Sequence, residues 1–484
     1  MTHVSNGDEG SYPNYLGNFS KGLPHDEYGE VDPTAYQRLL RTLTRAAEDD
    51  FETVPLGTTK GSRRLVNPQA GLSLDAVGPD SHQLTIPPAP SIASAEAAAE
   101  ACELYWMALC RDVPFTRFTD DRTVTVAAEE LTRLTDYRAY RRDGQVRPEF
   151  VFRGDTPGDR RGPYLSQFLL KDVQFGTYRY AQRQDTVRAD RDYITTFETW
   201  LRVQRGWNRQ LAEADRDRAR PKHITTPRDL AHWVHFDAGP TPAMAFFNAG
   251  LILHYAGVAT DAGNPYRWSR TQEGFSTFGT PHLLALVTEL ANRALRTVWF
   301  QKWFVHRRLR PEAFAGRVHN HLLDRRVYDF IHPQLLDSEA VSRVHRKWGS
   351  YLLPQAFPEG APLHPAYGAG HATAAAACAT VLKAWFDETA VIRDPVQPNK
   401  EGTELVPYRG ADADRLTVGG ELNKLASNIG IGRNMAGVHW RSDYTASVAL
   451  GESLAIDIMR TQKEWFNETN SSTITRFDGT AVTI

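Results

Sequence analysis

Three short stretches carry side chains that together could act on a tetrahedral oxyanion. The first, GIGRNMAGVHWRSD from Gly430 to Asp443, sets Arg433, His439 and Asp443 six and four residues apart. An arginine is always charged, and its planar fork suits oxyanions. A histidine offers one ring nitrogen to a metal or phosphorus centre while a partner orients the other. A carboxylate one helical turn on could be that partner. Alone, Arg-x5-His-x3-Asp is a weak pattern that many solvated helix faces carry. The second stretch, KWFVHRRLRPE, adds Lys302, Arg310 and Pro311, and the third, HPAYGAGHATAAAA, adds His364, Gly370 and His371. Lys302, Arg310 and Arg433 supply three positive charges that could neutralise such an oxyanion. Gly370 has no side chain, so its N–H can approach an oxygen closely at a helix N-terminus. His371 is a general acid or base. The bland alternative for the basic run is a solvated helix end, which is the reading given to His306 and Arg307. Packing is the reading for Trp303 and Trp440.

In order and spacing the three blocks resemble the vanadium-dependent haloperoxidases, which share their site with type 2 phosphatidic acid phosphatases. The match is closest to the algal bromoperoxidases. The step of eight from Lys302 to Arg310 is one longer than in the fungal chloroperoxidases and the phosphatases. His364 stands seven residues before His371, where bromoperoxidases have His and chloroperoxidases Phe. The similarity extends to NFSKGLPHDEYGEVDPTAY (Asn18 to Tyr36) and ELYWMALCRDVPF (Glu103 to Phe115). It implies an all-α fold of two four-helix bundles with the site in the second. It also implies vanadate as cofactor, with phosphate able to occupy the same site. Hydrogen peroxide, a halide and a small organic molecule would be the reactants, and the chain would form a homo-oligomer.

The same resemblance implies residue roles. His439 would bond vanadium, Lys302, Arg310, Gly370 and Arg433 would hold its oxygens, and His371 would help deprotonate peroxide. Lys302 would polarise the peroxide, His364 would tune the site towards bromide and iodide, and Asp443 would orient or charge-stabilise its block. Vanadium would stay V(V), and a hypohalous acid equivalent would halogenate the organic substrate. Two positions depart from the pattern. Ala369 stands where the bromoperoxidases have Ser, removing a hydroxyl whose hydrogen bond to a charged group is worth about 1.5–3 kcal/mol. Gly432 stands where the phosphatases usually have Ser. Two other readings use the same residues: an acid phosphatase with His439 as nucleophile and His371 as general acid, and a non-catalytic oxyanion-binding or storage protein.

The 484 residues suffice for a sizeable core, and the net charge of −2 gives no field to attract nucleic acid or an anionic membrane. Arg-rich residues 138 to 220 are interleaved with acids and read as a solvated, ion-paired face. Cys102, Cys110 and Cys378 are too few for a disulfide framework and read as buried small residues. The N-terminus shows no secretory signal and no stretch is long and apolar enough for a membrane span, so a soluble protein, cytoplasmic rather than exported, is expected.

Helices positioning the site are expected from periodicity and caps. Asp32 and Pro33 open one helix, Ser94 another that runs to Pro114, and Thr226 with Pro227 a third, with Pro240 and Pro242 resetting the chain. MAFFNAGLILHYAG reads as a central apolar helix. A long helix opened by Thr280 and Pro281 delivers Lys302, an Ala-rich helix follows His371, and two long helices close the chain. His232, His235 and His254 are read as core or surface groups. The polar stretch from Arg209 to His223 is expected to end one helical half. No alternating strand pattern stands out. The expected division is residues 1–223, an N-terminal helical half with a long irregular arm, and 224–484, a C-terminal bundle carrying the site.

Overall fold

The computed structural model describes residues 2–57, 63–236 and 242–484; Pro240 lies outside them. The helices form where caps and apolar stripes coincide. Helix α1 (Pro33–Arg45) starts with Asp32 accepting from the Ala35 amide at 2.8 Å, and buries Leu39 and Leu43. Helix α2 (Ala95–Leu109) starts at Ser94, whose Oγ accepts from the Ala97 amide at 3.1 Å. It stops short of the expected Pro114. Helices α3 (Arg122–Arg133), α4 (Phe197–Gln204) and α5 (Pro227–Phe236) follow. Thr226 and Asp229 cap each other at the start of α5, each amide donating to the other's side chain, at 3.2 and 3.1 Å.

Then come α6 (Met244–Tyr255), α7 (Thr280–Phe300), α8 (Pro311–Leu322), α9 (Glu339–Trp348), α10 (Gly370–Trp385), α11 (Val418–Met435) and α12 (Arg441–Trp465). Among the described residues, eight short strands form four antiparallel pairs: β1 (Val173–Phe175) with β2 (Tyr178–Tyr180), β3 (Gln184–Val187) with β4 (Arg216–Lys222), β5 (Val396–Pro398) with β6 (Leu405–Pro407), and β7 (Thr473–Thr475) with β8 (Ala481–Thr483). Strand β4 corrects the expectation for Arg209 to His223. That stretch has no apolar stripe to bury as a helix, and its backbone groups pair across β3 instead.

Helix α10 is the axis of the bundle that carries the three blocks; α7, α11 and α12 pack around it. Small residues allow this closeness. Residues 372–379 of α10 are all buried and six of them are Ala. A Cβ on Gly451 of α12 would lie 2.1 Å from the Thr373 carbonyl oxygen, so only Gly permits that crossing. A second helical group gathers α3, α9 and the short helix Pro333–Leu336 around α2. One hydrophobic core runs through both groups, from Leu16 to Phe477. Helix α6 lies at the edge rather than the centre: it packs on α7, α10 and β1, while Met244 and Tyr255 stay exposed. The three cysteines are free and buried.

The irregular arm reaches the site-bearing blocks directly. The Phe19 amide donates to the Arg307 carbonyl at 2.8 Å. Lys21 is buried and pairs with Glu312, and its ammonium also donates to the carbonyls of Glu359 at 2.9 Å and Ala361 at 2.6 Å. Glu312 in turn accepts from the Ala361 amide at 2.8 Å. Burial, opposed by the Glu312 charge, lowers the Lys21 ammonium to about 8. The pair thus pins the loop after residue 358 to the start of α8. Breaking a buried pair leaves an uncompensated charge. Lys21→Met or Glu312→Gln alone should therefore lower stability by about 3–5 kcal/mol. The double variant Lys21→Met/Glu312→Leu should lose less than the sum, read from denaturant midpoints.

Candidate active site

Helix α7 does not end at Phe300. It continues as one π-helical turn, Gln301–His306, and stops at Arg307 with φ 42°. The wider turn carries Lys302 inward, and π turns are frequent at functional sites. Lys302 is fully buried, and its ammonium donates to the carbonyls of Pro365 at 2.8 Å and Ala366 at 3.0 Å. Burial, with Arg310 adding to it and Asp443 opposing it, holds that ammonium well below its usual range. The basic run is therefore not a solvated helix end. His306 is buried against the Tyr367 ring, and Arg307 is held by both oxygens of Glu9, each at 2.7 Å. Trp303 and Trp440 are buried and pack as expected, Trp440 also donating to the Leu309 carbonyl at 2.9 Å.

Arg310 sits at the N-terminal cap of α8, where its extended backbone turns the guanidinium inward. It donates to the His364 and Val438 carbonyls at 2.9 and 2.7 Å, to His439 Nε2 at 2.9 Å and to His364 Nδ1 at 2.9 Å. Arginine can only donate, so both imidazole nitrogens accept. His364 then carries its proton on Nε2, and the 3.1 Å approach of its Nδ1 to the Pro365 carbonyl is not a hydrogen bond. His439 Nδ1 lies 2.7 Å from Asp443 Oδ2, so its proton is on Nδ1 and its lone pair is on Nε2. Asp443 Oδ2 also accepts from the Trp440 amide at 3.0 Å, closing the first turn of α12. Burial, then Arg310 and Lys302, hold His439 far below the ordinary histidine range, so the ring is neutral. Burial, opposed by Asp443 and reinforced by Arg433, lowers Arg310 to about 9, which leaves it charged at neutral pH.

Arg433, on the last turn of α11, is 2 % exposed and donates to His235 Nδ1 at 3.1 Å. His235, on α5, donates its Nε2–H to Glu359 at 2.7 Å and stacks on Phe357 with ring centroids 3.8 Å apart. The expectation of a lone, structural His235 is thus corrected: its ring joins Arg433 to a carboxylate. Glu359 is the first charge opposing the burial that brings Arg433 down to about 10. No spacing signal marked His235 or Glu359, because the contact closes 124 residues of separation.

His371 and Gly370 open α10, so their amides are first-turn N–H groups with no acceptor within the helix. A Cβ on Gly370 would lie 3.0 Å from the Trp299 ring and 3.3 Å from Leu295, so α7 packs directly on this position. Ala369 is the N-cap and offers no side-chain cap; its amide donates to Ser447 Oγ at 2.6 Å. His371 is held far below the ordinary histidine range by burial and then by Arg433, His235, Lys302 and Arg310.

The arrangement brings all three blocks to one place. It fits an oxyanion rather than a bare cation: three buried positive groups converge, and His371 Nε2 and Arg433 Nε are buried without a partner. Among the described residues no cluster of three His, Cys, Asp or Glu could hold a metal ion by itself. A vanadate ion would bring its own negative oxygens, so one neutral nitrogen such as His439 Nε2 would suffice to bond its metal.

A sequence profile of the VCPO second helical-bundle domain matches residues 282–468, the span of all three blocks. A vanadium-dependent bromoperoxidase of Corallina pilulifera is 34% identical over 98% of this chain and 91% of its own. One from Ascophyllum nodosum is 36% identical over 96% of this chain and 86% of its own. The homohexameric structure of the second vanadate-dependent bromoperoxidase of Ascophyllum nodosum superposes with a TM-score of 0.93 at 32% identity, covering 100% of this chain and 86% of that one. With near-complete coverage by sequence and by fold, the chain belongs to the vanadium-dependent haloperoxidases, with the bromoperoxidases among its relatives.

Proposed function

We propose that this protein uses vanadate and hydrogen peroxide to oxidise bromide and iodide to a hypohalous acid equivalent, which halogenates small organic molecules. The observation that carries the assignment is His439 Nε2, a neutral lone pair fixed by Asp443 inside a ring of buried cations. Every member of that ring lies within residues 224–484, the half expected to carry the site. Assembly into a homo-oligomer is part of the proposal, supported by the hexameric relative. Among the described residues no helix is long and apolar enough to cross a membrane.

In this reading His439 Nε2 would hold the metal, and Lys302, Arg310, Arg433 and the Gly370 amide would hold its oxygens. Bound vanadate supplies a Lewis acid that polarises peroxide towards halide attack without changing oxidation state. Asp443 keeps the His439 proton on Nδ1. His371, neutral and with Nε2 unpartnered, takes a proton from hydrogen peroxide. The Trp299 and Phe357 rings lie beside His364 and Arg433, at 4.8 Å between centroids and 5.7 Å from the guanidinium, and limit water at the cations. His364 accepts from Arg310 and keeps that guanidinium pointed at His439.

Exhaustive vanadium removal should abolish bromide oxidation, vanadate should restore it, and phosphate present during reconstitution should slow or block the restoration. Full halogenation by the vanadium-free protein would overturn the assignment. Phosphomonoester hydrolysis lost in His439→Ala, without peroxide-dependent bromination, would favour the phosphatase reading.

The two histidines should separate. His439→Ala should lose stable vanadate binding, whereas His371→Ala should keep it and lose most turnover, by about 10²–10⁴-fold for a general base. Equal vanadate titrations and equal rates for the two variants would refute the roles.

The halide range follows from polarity. A polar His364, held well below the ordinary histidine range by burial and then by Lys302 and Arg310, and the missing hydroxyl at Ala369 both weaken activation, so bromide and iodide should turn over and chloride weakly or not at all. Ala369→Ser should change bromide turnover or the peroxide KM. As the N-cap it should also stabilise α10, by about 1 kcal/mol. Steady-state rates for the three halides at one pH, with thermal melts, check both effects.

A further inference from the structure

Helix α2 belongs to the other helical group, yet two of its acids grip the first turn of α12. Glu103 accepts from Arg441 Nε at 2.8 Å and from the Tyr137 hydroxyl at 2.6 Å. Glu100, one turn earlier, accepts from the Ser442 amide and hydroxyl and, at 3.0 Å, from Arg308. Arg308 donates its other arm to Asp443 Oδ1 at 2.8 Å and to Ser442 Oγ at 2.7 Å, and packs 4.9 Å over the Trp440 ring. Asp443 holds the His439 proton. All four members of the chain Glu100–Arg308–Asp443–His439 are buried. Arg308 is the one cation of the basic run that points away from the oxyanion cradle and onto its carboxylate.

We propose that Glu100 is a positioning residue for His439, acting through Arg308 and Asp443. The inference rests on the reading of His439 as the metal-bonding residue. Asp443 shares its charge between the His439 Nδ1–H and the Arg308 guanidinium. Glu100 takes one of the three hydrogen bonds that this guanidinium donates and offsets its charge. Without the Glu100 charge, Arg308 draws more strongly on Asp443. Asp443 then accepts the Nδ1 proton less well, and Nε2 becomes a poorer donor. The effect is specific to a ligand that bonds Nε2. A ligand held by charge alone gains nothing from Nε2 basicity, and loss of a nearby negative charge does not weaken it.

The test uses the full chain, freed of vanadium, with vanadate and inorganic phosphate as separate probes in calorimetric titrations. Partners behind a metal-bonding histidine typically change metal affinity 10–100-fold. Glu100→Gln keeps the side-chain volume, and one step further out it should weaken vanadate binding by about tenfold while phosphate binding is unchanged or tighter. Glu103→Gln, which loosens the same turn without touching Arg308, should leave the ratio of the two affinities as in the parent. Glu100→Asp should recover part of the vanadate affinity. Parallel weakening of both anions in Glu100→Gln would reduce Glu100 to a structural tie and overturn the proposal, as would an unchanged vanadate affinity. Vanadate binding that does not depend on His439, tested with His439→Ala, would instead overturn the underlying assignment. If Glu100→Gln does not fold, Glu100→Asp carries the same comparison. Its shorter carboxylate withdraws from Arg308, so vanadate affinity should fall by less than about tenfold while phosphate affinity is unchanged.

Discussion

Mutual repulsion among Lys302, Arg310 and Arg433 is the constraint on which the rest of the structure depends. Three cations are buried together, each at 2 % exposure or less. At the low effective dielectric of an interior such charges repel strongly, and each has also lost its hydration. The fold answers mainly with oriented neutral acceptors. The carbonyls of His364, Pro365, Ala366 and Val438 all point at Lys302 or Arg310. Carbonyl dipoles stabilise the cations without cancelling their charge, so the cradle keeps its attraction for an anion. The two nearest carboxylates, Asp443 and Glu359, contact the cradle through histidines, His439 and His235. A carboxylate in direct contact with the cations would compete with the ligand.

Such a shell has to be held by elements far apart in the chain. The loop that supplies three of those carbonyls is fixed from beneath by Lys21 and Glu312. The start of α12, which sets Asp443 and thus the His439 tautomer, is fixed by Glu100 and Glu103 on α2. The N-terminal arm and the second helical group therefore supply restraint to a site whose own chemical groups all come from the other bundle. This explains a long arm with little regular structure: its value lies in where Asn18 and Lys21 are placed against residues 307–312 and 359–361.

Most of the cradle was legible in the sequence because its members cluster in three blocks, each tied to a helix terminus or turn. Arg310 precedes Pro311, Gly370 opens an Ala-rich helix, and Asp443 follows His439 by one turn, so local spacing already implies geometry. The all-α class was legible for the same reason, from caps such as Asp32, Ser94 and Thr226. What was not legible depends on long-range contact. Arg308 looked like its solvated neighbours until Glu100, 208 residues away, was found against it. His235 was one of three scattered histidines until Arg433 and Glu359 closed on it. The π turn at Gln301–His306 has no propensity signature, since it is imposed by the need to turn Lys302 inward and end at Arg307. The β3–β4 pair was hidden in a charged stretch whose pairing partner is thirty residues upstream.

Arg310 connects these levels. Its guanidinium meets His439 Nε2 and His364 Nδ1 with one arm each, while two carbonyls take two of its three other donors. His439 Nε2 has a single lone pair, so any ligand that bonds it competes with Arg310 for that pair. The exchange need not be uphill. An oxyanion brings charged acceptor oxygens, and an ion pair adds a Coulomb attraction that a hydrogen bond to a neutral imidazole lacks. Arg310 can release the lone pair and gain an oxygen in the same move, guided by the carbonyl of His364 and the ring of the same residue. A neutral ligand offers no such replacement and would leave the guanidinium underbonded in a buried site. Selectivity for anions would then arise from the hydrogen-bond accounting of Arg310 as well as from net charge, and it would depend on His439 staying neutral, which Asp443 and the carboxylate–guanidinium chain behind it maintain.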